Sequence, residues 1–465
     1  MTTRLSSLPQ GMRTFLRIWF GQTVSQIGSR MTHFGLTLWL WGQSGQATSV
    51  ALMIFFSILP TIFVAPIAGM LVDRWDRKRL IISSDLVAGL STIVLLILYL
   101  MGHLEIWHLY ITSAVNTVFS QLQGIAFSAS ITLLVPREQY ARASGLRFVT
   151  NYGASIIGPA FAGVLYYTVK LPGIMLVDLI TLSIALTTLA LAHIPRAAET
   201  DAGRESRQNW WTEISYGFRY LRARPNLFAL SLIAVIFWLV HDLGGALYAP
   251  LVLARSGDSA RTLAAVSTAA GIGGITGAIF MSAWGGGRFR RIHPFLLGTI
   301  GAGIAKTIFG LGQGLIVWFP AQIFSSFNFP VRGGAIDSIW MSKVEPDIQG
   351  RVFAFNYLLE GILTAAATLI AGPLADQVFE PAMHPDGNLS TIFGWLVGTE
   401  KGAGIAVIYI GSSLMMIVIG LAGYLLPAIR NVEKSVPDHV LDVQVQAIED
   451  TSEQTITPEA AISPL

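Results

Sequence analysis

Ionisable residues sit inside long apolar stretches of this sequence, among them the cations Arg30, Lys306 and Arg332 and, against them, the acids Asp178, Asp242 and Glu360. Charges in such surroundings are costly in a bilayer, so they face a bundle interior or a watery cavity, where they pair, bind ions or move protons. Arg332 and Glu360 fall at similar depth on neighbouring stretches, which suits a pair that proton binding to Glu360 would break. Asp242, with His241 beside it, is the competing proton carrier. Asp178 lies near the outer end of its stretch, as an outer gate, a helix contact or a further candidate for proton coupling. Lys306 is expected to snorkel toward the surface.

Polar residues recur at helical spacing around these charges. Gln22, Gln26, Arg30, His33 and Thr37 follow at i, i+4, i+8, i+11 and i+15, on one helical face. Thr112, Asn116, Ser120 and Gln123 repeat the pattern in the fourth apolar run. The seventh carries Trp238, His241, Asp242 and Tyr248, and the tenth Ser325, Asn328 and Arg332. Such stripes suit the wall of a substrate cavity. For single Ser, Thr and Asn residues the alternative is hydrogen bonding that only holds helices together. Trp238 and Tyr248 suit either a ligand platform or packing.

The elements that carry these residues must cross a membrane. The 465 residues are 53% hydrophobic and only 12% charged, whereas an ordinary globular domain is about 25% charged. A spanning helix needs roughly 20 mostly apolar residues. Runs of that kind lie at about 15–42, 47–71, 80–101, 106–128, 148–168, 172–194, 226–252, 262–284, 294–312, 314–336, 352–378 and 402–427. They lack the strict alternation of a membrane barrel. The expected fold is an all-α integral membrane protein of twelve transmembrane helices in two six-helix pseudo-repeats.

Lys and Arg mark cytoplasmic loops. Of the 30 such residues, 23 fall on one set of loops and the termini, 4 on the opposite set and 3 inside the runs. Both termini are therefore expected in the cytoplasm of a cell-membrane protein. The expected division is 1–195 for the first half and 196–225 for a cytoplasmic linker. The second half follows at 226–427, and a disordered acidic tail at 428–465. Within the linker, Trp210 to Arg224 reads as an amphipathic helix on the inner surface. Two loop patterns also recur. Gly69 with its basic loop returns at Gly277, 208 residues on, and Pro136-x-x-Gln139-x-x-Arg142 returns as Pro346-x-x-Gln349-Gly350-Arg351, 210 residues on. Parallel repeats of this kind belong to transporter architectures with a site between the halves.

The loop after the second run, Gly69-Met-Leu71-Val-Asp73-Arg74-Trp-Asp76-Arg77-Lys78, resembles the major facilitator signature G-x-L-a-D-r-x-G-r-k, with Asp76 at the eighth place where glycine is usual. Gly145, Ala154, Gly158-Pro159 and Ala162-Gly163 resemble the antiporter signature, with alanine at two glycine places. Gly350-Arg351-Val352-Phe353 and Gly372-Pro373-Leu374-Ala375-Asp376 look like the drug/proton antiporter branch that includes macrolide efflux proteins. The resemblance implies that the first, fourth, seventh and tenth helices line the cavity. It also implies that Gly69, Asp73, Arg74 and Arg77 latch the second helix to the other half, and that Gly158, Pro159 and Gly163 serve gating or packing.

The chain contains no cysteine, and it lacks a P-loop and the His-Glu-x-x-His and Gly-x-Ser-x-Gly patterns. Gly271, Gly273, Gly274 and Gly277 are expected to form one small-residue packing face rather than a nucleotide loop. The reading is a proton-coupled exporter of small amphipathic molecules. It is a monomer in the lipid bilayer, is not an enzyme, and has no cofactor, metal or nucleic-acid partner. The alternatives are a lipid, lysophospholipid or siderophore transporter on the same fold, then a non-transporting receptor or scaffold.

Overall fold

The computed structural model describes residues 10–135, 140–192, 210–284 and 290–437, and within them there is no strand. Helices are what an apolar environment selects, because each satisfies its backbone groups internally. The N-terminal half comprises α1 (Gln10–Ser44), α2 (Ala47–Arg74), α3 (Arg77–Leu100), α4 (Ile106–Leu134) and α5 (Tyr140–Ala190). Lys170, at φ 57° and ψ −173°, divides α5 into two arms where the fifth and sixth runs meet. The expected linker carries α6 (Trp210–Arg222), and the C-terminal half then begins with α7 (Pro225–Gly245), α8 (Tyr248–Arg255), α9 (Ala260–Trp284) and α10 (Ile292–Leu311). It continues with α11 (Leu315–Lys343), α12 (Pro346–Pro373), a π-helical turn (Leu374–Phe379), α13 (Glu380–Met383), α14 (Ser390–Val397) and α15 (Ala403–Leu425). Two short helices close the described chain, α16 (Pro427–Arg430) and α17 (Val432–Ser435).

Among the described residues, 8 stretches are long and apolar enough to cross a membrane by length and composition. That set counts both arms of α5 as a single stretch and leaves out α1, α4 and α11. Those three carry three of the four polar stripes, which dilute their apolarity. Each of the twelve expected runs nevertheless falls on a long helix.

The end of the bundle that carries the basic loops is here the basic end, and the opposite one the distal end. At the distal end one apolar cluster draws on both halves, joining Met31, Leu40, Trp41 and Ala47 to Leu251, Leu253, Ala371 and Tyr409. Toward the basic end the described residues form two clusters, one per half. Met12, Phe15, Leu80, Leu134 and Leu189 make one; Leu227, Phe295, Trp340, Val352 and Val432 make the other. The halves are thus joined at the distal end and hold separate cores at the basic end.

Two helix pairs form the seams between the halves. In the α5–α9 seam a Cβ on Gly163 would meet the Ala264 Cβ at 2.3 Å, so only glycine allows this approach. In the α2–α12 seam a Cβ on Gly372 would lie 2.3 Å from the Thr48 Cα. The α9 glycines divide between two neighbours rather than forming one face. Gly271 and Gly274 abut Ile156 and Tyr152 of α5, while Gly273 and Gly277 abut the Ile323 and Phe327 carbonyls of α11.

The basic end shows local chemistry that the sequence pattern left open. Asp76, standing where the loop signature has glycine, caps α3 by accepting from the Arg79 N–H at 3.0 Å. That is a preferred role for aspartate at a helix start. The amphipathic helix α6 lies along α12, with Gly217 against the Arg351 carbonyl. Tyr220 donates to Glu345, whose carboxylate also lies 3.6 Å from Arg224. Burial and that carboxylate raise the tyrosine's pKa above its ordinary value. Of the tail expected to be disordered, residues 428–437 are described and ordered, and the rest lies outside the described residues. Glu433 accepts from the Arg291 and Ile292 N–H groups, both at 3.1 Å, which caps α10. Lys343 donates to the carbonyls of Glu433 at 2.8 Å and Val436 at 2.6 Å, holding that segment in place.

Candidate functional site

Helix α1 turns its polar stripe inward, and the stripe forms one wall of a cavity of about 610 Å³ within the N-terminal half. Gln22, Gln26, Arg30 and His33 line it from α1, and Asn116 and Gln123 from α4. Arg30 and His33 are exposed, although they lie in the middle of a long helix beside the buried Met31, Thr32 and Phe34. Gln26 donates to Asn151 at 3.1 Å, tying α1 to α5 across the wall. At Gly158 the same two helices come so close that a Cβ would meet the Arg30 Cβ at 2.6 Å. Pro159 sits inside α5 without breaking it. Gly158 therefore fixes the backbone from which Arg30 projects.

Two carboxylates line this cavity. Asp178, 6% exposed, accepts from Ser29 at 3.1 Å and Thr92 at 3.1 Å. Asp85 of α3, 4% exposed, accepts from Gln22 at 2.9 Å and from Gln123 at 2.6 Å. Gln123 also donates to Gln22 at 3.0 Å, so the three side chains form a closed set. Asp85 lies on none of the polar stripes, and its only sequence signal is an aspartate within the apolar run that begins soon after the basic loop.

A second, smaller cavity of about 210 Å³ lies in the C-terminal half, lined among others by Trp238, Arg332, Asp337 and Glu360. Neither cavity wall includes His241, Asp242 or Asn328. Asn328 is buried and donates to the Phe324 carbonyl of its own helix at 2.7 Å, a packing arrangement. His241 is packed among the rings of Phe237, Trp238 and Phe329, 3.9 Å from the Asp242 carboxylate. Asp242 accepts from Thr364 and so links α7 to α12.

Arg332 and Glu360 share a wall but form no ion pair, since among the described residues Arg332 has no carboxylate within 4.0 Å. Its guanidinium lies 3.6 Å over the Phe237 ring and donates to the Ala234 carbonyl at 3.3 Å. Stacking of this kind suits a weakly hydrated, delocalised cation. Lys306 does not snorkel. It is 6% exposed and its ammonium lies 5.2 Å over the Tyr409 ring.

At the distal end the cavity is sealed by contacts between the halves. Asp376, in the π-helical turn after α12, accepts from the Ala47 N–H at 3.0 Å, the Thr48 N–H at 2.7 Å and the Thr48 hydroxyl. It thereby caps α2 from the other half. Trp41 donates to Asp258 at 2.6 Å, and Lys401 lies 4.9 Å over the Trp41 ring. Gly69, Asp73 and Arg74 belong to the last turns of α2, but their side chains lie outside the described residues. Arg77 opens α3 beside the Asp76 cap.

The sequence model of the Major Facilitator Superfamily matches residues 18–377. Macrolide efflux protein A of Streptococcus pyogenes is 27% identical over 371 residues, covering 78% of this chain and 90% of that protein. The enterobactin exporter EntS of Salmonella typhimurium is 24% identical over 263 residues, covering 55% of this chain and 59% of that protein. Among solved structures, a bacterial homolog of the human lysosomal transporter Spinster, in an inward-facing and unoccupied conformation, superposes with a TM-score of 0.67 at 16% identity. That match covers 91% of this chain and 98% of that one.

Proposed function

The chain belongs to the Major Facilitator Superfamily, and on that basis we propose that it is a proton-coupled exporter of small amphipathic molecules, working by alternating access. The observation that carries this reading is the polar cavity of about 610 Å³ behind a distal seal that joins the halves. A cavity of that size suits a drug-sized ligand. Its amide and hydroxyl lining offers hydrogen bonds, and Leu36, Met53 and Leu95 on the same wall offer apolar contact. With the basic end on the inside, the cavity faces the cytoplasm, where an exporter loads. Asp73, Arg74 and Arg77 latch the basic end in the opposite state. The efflux proteins similar to this chain support the direction of transport. A siderophore is the second reading, favoured by the likeness to the enterobactin exporter and by the exposed Arg30, which suits an acidic ligand.

The test is transport of the macrolide erythromycin into liposomes containing the purified protein. An imposed proton gradient should drive accumulation, and a protonophore should collapse it. Accumulation that survives the protonophore would remove the proton from the scheme. Orientation is checked separately by single cysteines, which stand out in a chain that has none of its own. Cysteine at Asp258 or Gly387 should react with an impermeant maleimide on intact cells, and cysteine at Arg224 should not. Labelling at Arg224 would invert the arrangement.

A further inference from the structure

We propose that Asp85, clasped by Gln22 and Gln123, is a proton-binding site of the N-terminal half, a second site beside Glu360 in the other half. The inference rests on the reading of proton-coupled transport. Three helices build this site, since α3 supplies the carboxylate and α1 and α4 the two amides that donate to its two oxygens. All three side chains line the large cavity.

Among the described residues no cation lies within 4.0 Å of Asp85. On α1 the ionisable groups of the cavity wall are Arg30 and His33, both exposed to the lumen, while Arg17 lies outside the wall and is exposed. α4 carries no charged residue besides His108 in its first turn at the distal end. The second arm of α5 contributes Asp178, whose oxygens are held by Ser29 and Thr92. On α3 itself Lys78 is engaged by the carbonyls of Ala190 and Ala192 at 2.9 and 2.7 Å. Removing one partner from a buried charge is expensive, and here the partners are neutral amides from the outset. A proton cancels the charge without any change in packing.

The amides suit both states of the carboxyl group. Ionised, Asp85 accepts from Gln22 Nε2 and Gln123 Nε2. Protonated, its new O–H needs an acceptor, and either amide offers Oε1 by turning over about its last bond. A glutamine pair can therefore follow the proton, which a lysine or arginine cannot do. A substrate that brings an N–H, O–H or ammonium group to Asp85 replaces the amides as donors and favours the ionised form. Substrate and proton then exclude one another at this carboxylate, which is the condition that antiport requires.

The position fits a route. α1 supplies Gln22 to Asp85 and Ser29 to Asp178, and seven residues of helix rise separate the two donors by roughly 10 Å. Asp178 lies nearer the distal seal and Asp85 nearer the basic end, so the cavity wall holds two carboxyl groups in series.

The test compares the wild type, Asp85→Asn and Asp85→Glu as purified full-length protein. Infrared difference spectra between acid and alkaline buffer should contain a carboxylic C=O band that Asp85→Asn removes and Asp85→Glu shifts. In liposomes, Asp85→Asn should cut gradient-driven erythromycin accumulation by roughly tenfold, a usual size for coupling between two ligands, while erythromycin counterflow continues. A C=O band unchanged in Asp85→Asn overturns the proposal. So does unchanged gradient-driven accumulation in that variant. If the wild type itself ignores the proton gradient, the coupling reading of the protein fails, and the infrared band still decides whether Asp85 takes a proton.

Discussion

Asp376→Ala is expected to open the distal seal and to expose the N-terminal cavity to the outside. The carboxylate of Asp376 is the acceptor for the Ala47 N–H, the Thr48 N–H and the Thr48 hydroxyl, and it reaches them across the boundary between the halves. The first N–H groups of a helix have no partner within the helix, and an ionised acceptor at that end also meets the positive end of the helix dipole. Removing it leaves those donors unsatisfied in the sealed state alone. Hydrogen bonds to a charged group contribute about 1.5–3 kcal/mol. A loss of about 2 kcal/mol shifts the balance of states by roughly thirtyfold. Asparagine caps helices about as well as aspartate, so Asp376→Asn should be milder. The reporter is a cysteine at Leu36, which is buried in the sealed state and lines the distal part of the cavity. Its labelling by an impermeant maleimide from outside should rise in Asp376→Ala and rise less in Asp376→Asn. Equal labelling in wild type and Asp376→Ala would mean that Trp41–Asp258 and the apolar cluster hold the seal without the cap.

The same residue shows what the sequence could and could not convey. Gly372-Pro373-Leu374-Ala375-Asp376 repeats the spacing of Gly69-Met70-Leu71-Val72-Asp73. The first ends α12 and the second ends α2, and these helices are partners in one seam. The pattern was readable as a family mark, but only the fold brings Asp376 to the start of α2. The stripe on α1 was readable because a helix converts spacing into a face. Gln22, Gln26, Arg30 and His33 duly share the cavity wall. Spacing could not reveal what each face meets. Asn328 lies on the tenth run's stripe yet packs against its own helix, and His241 is enclosed by aromatic rings. Asp85 escaped because it belongs to no stripe: its helix contributes one carboxylate, and the partners come from α1 and α4. Depth along the chain placed Arg332 and Glu360 side by side, but the guanidinium turns to the Phe237 ring. Periodicity gives the face and depth of a side chain; the direction it takes depends on the neighbour across the gap.

That last separation makes Glu360 the residue whose loss should matter most for coupling. Glu360 lines the smaller cavity and, among the described residues, has no cation within 4.0 Å. Arg332 and Asp337 share its wall and Asp242 acts on it from α7, so its charge feels one cation and two anions at a distance without being fixed by any of them. A group held in that way can gain and lose a proton as its cavity changes sides, and a carboxamide cannot. Asp242 differs. It accepts from Thr364 and lies 3.9 Å from His241, outside both cavity walls, which suits a link between α7 and α12. Glu360→Gln is therefore expected to abolish gradient-driven erythromycin accumulation in liposomes and to leave counterflow intact, because binding and the change of state do not need the proton. Asp242→Asn should keep gradient-driven transport, with a loss of stability of about 1–3 kcal/mol from the weakened buried hydrogen bond, read as a lower midpoint of thermal unfolding in detergent. If Glu360→Gln still pumps against a gradient and Asp242→Asn does not, the proton carrier of this half is on α7. If both pump as the wild type does, coupling belongs to the N-terminal carboxylates alone, and the smaller cavity has no part in it.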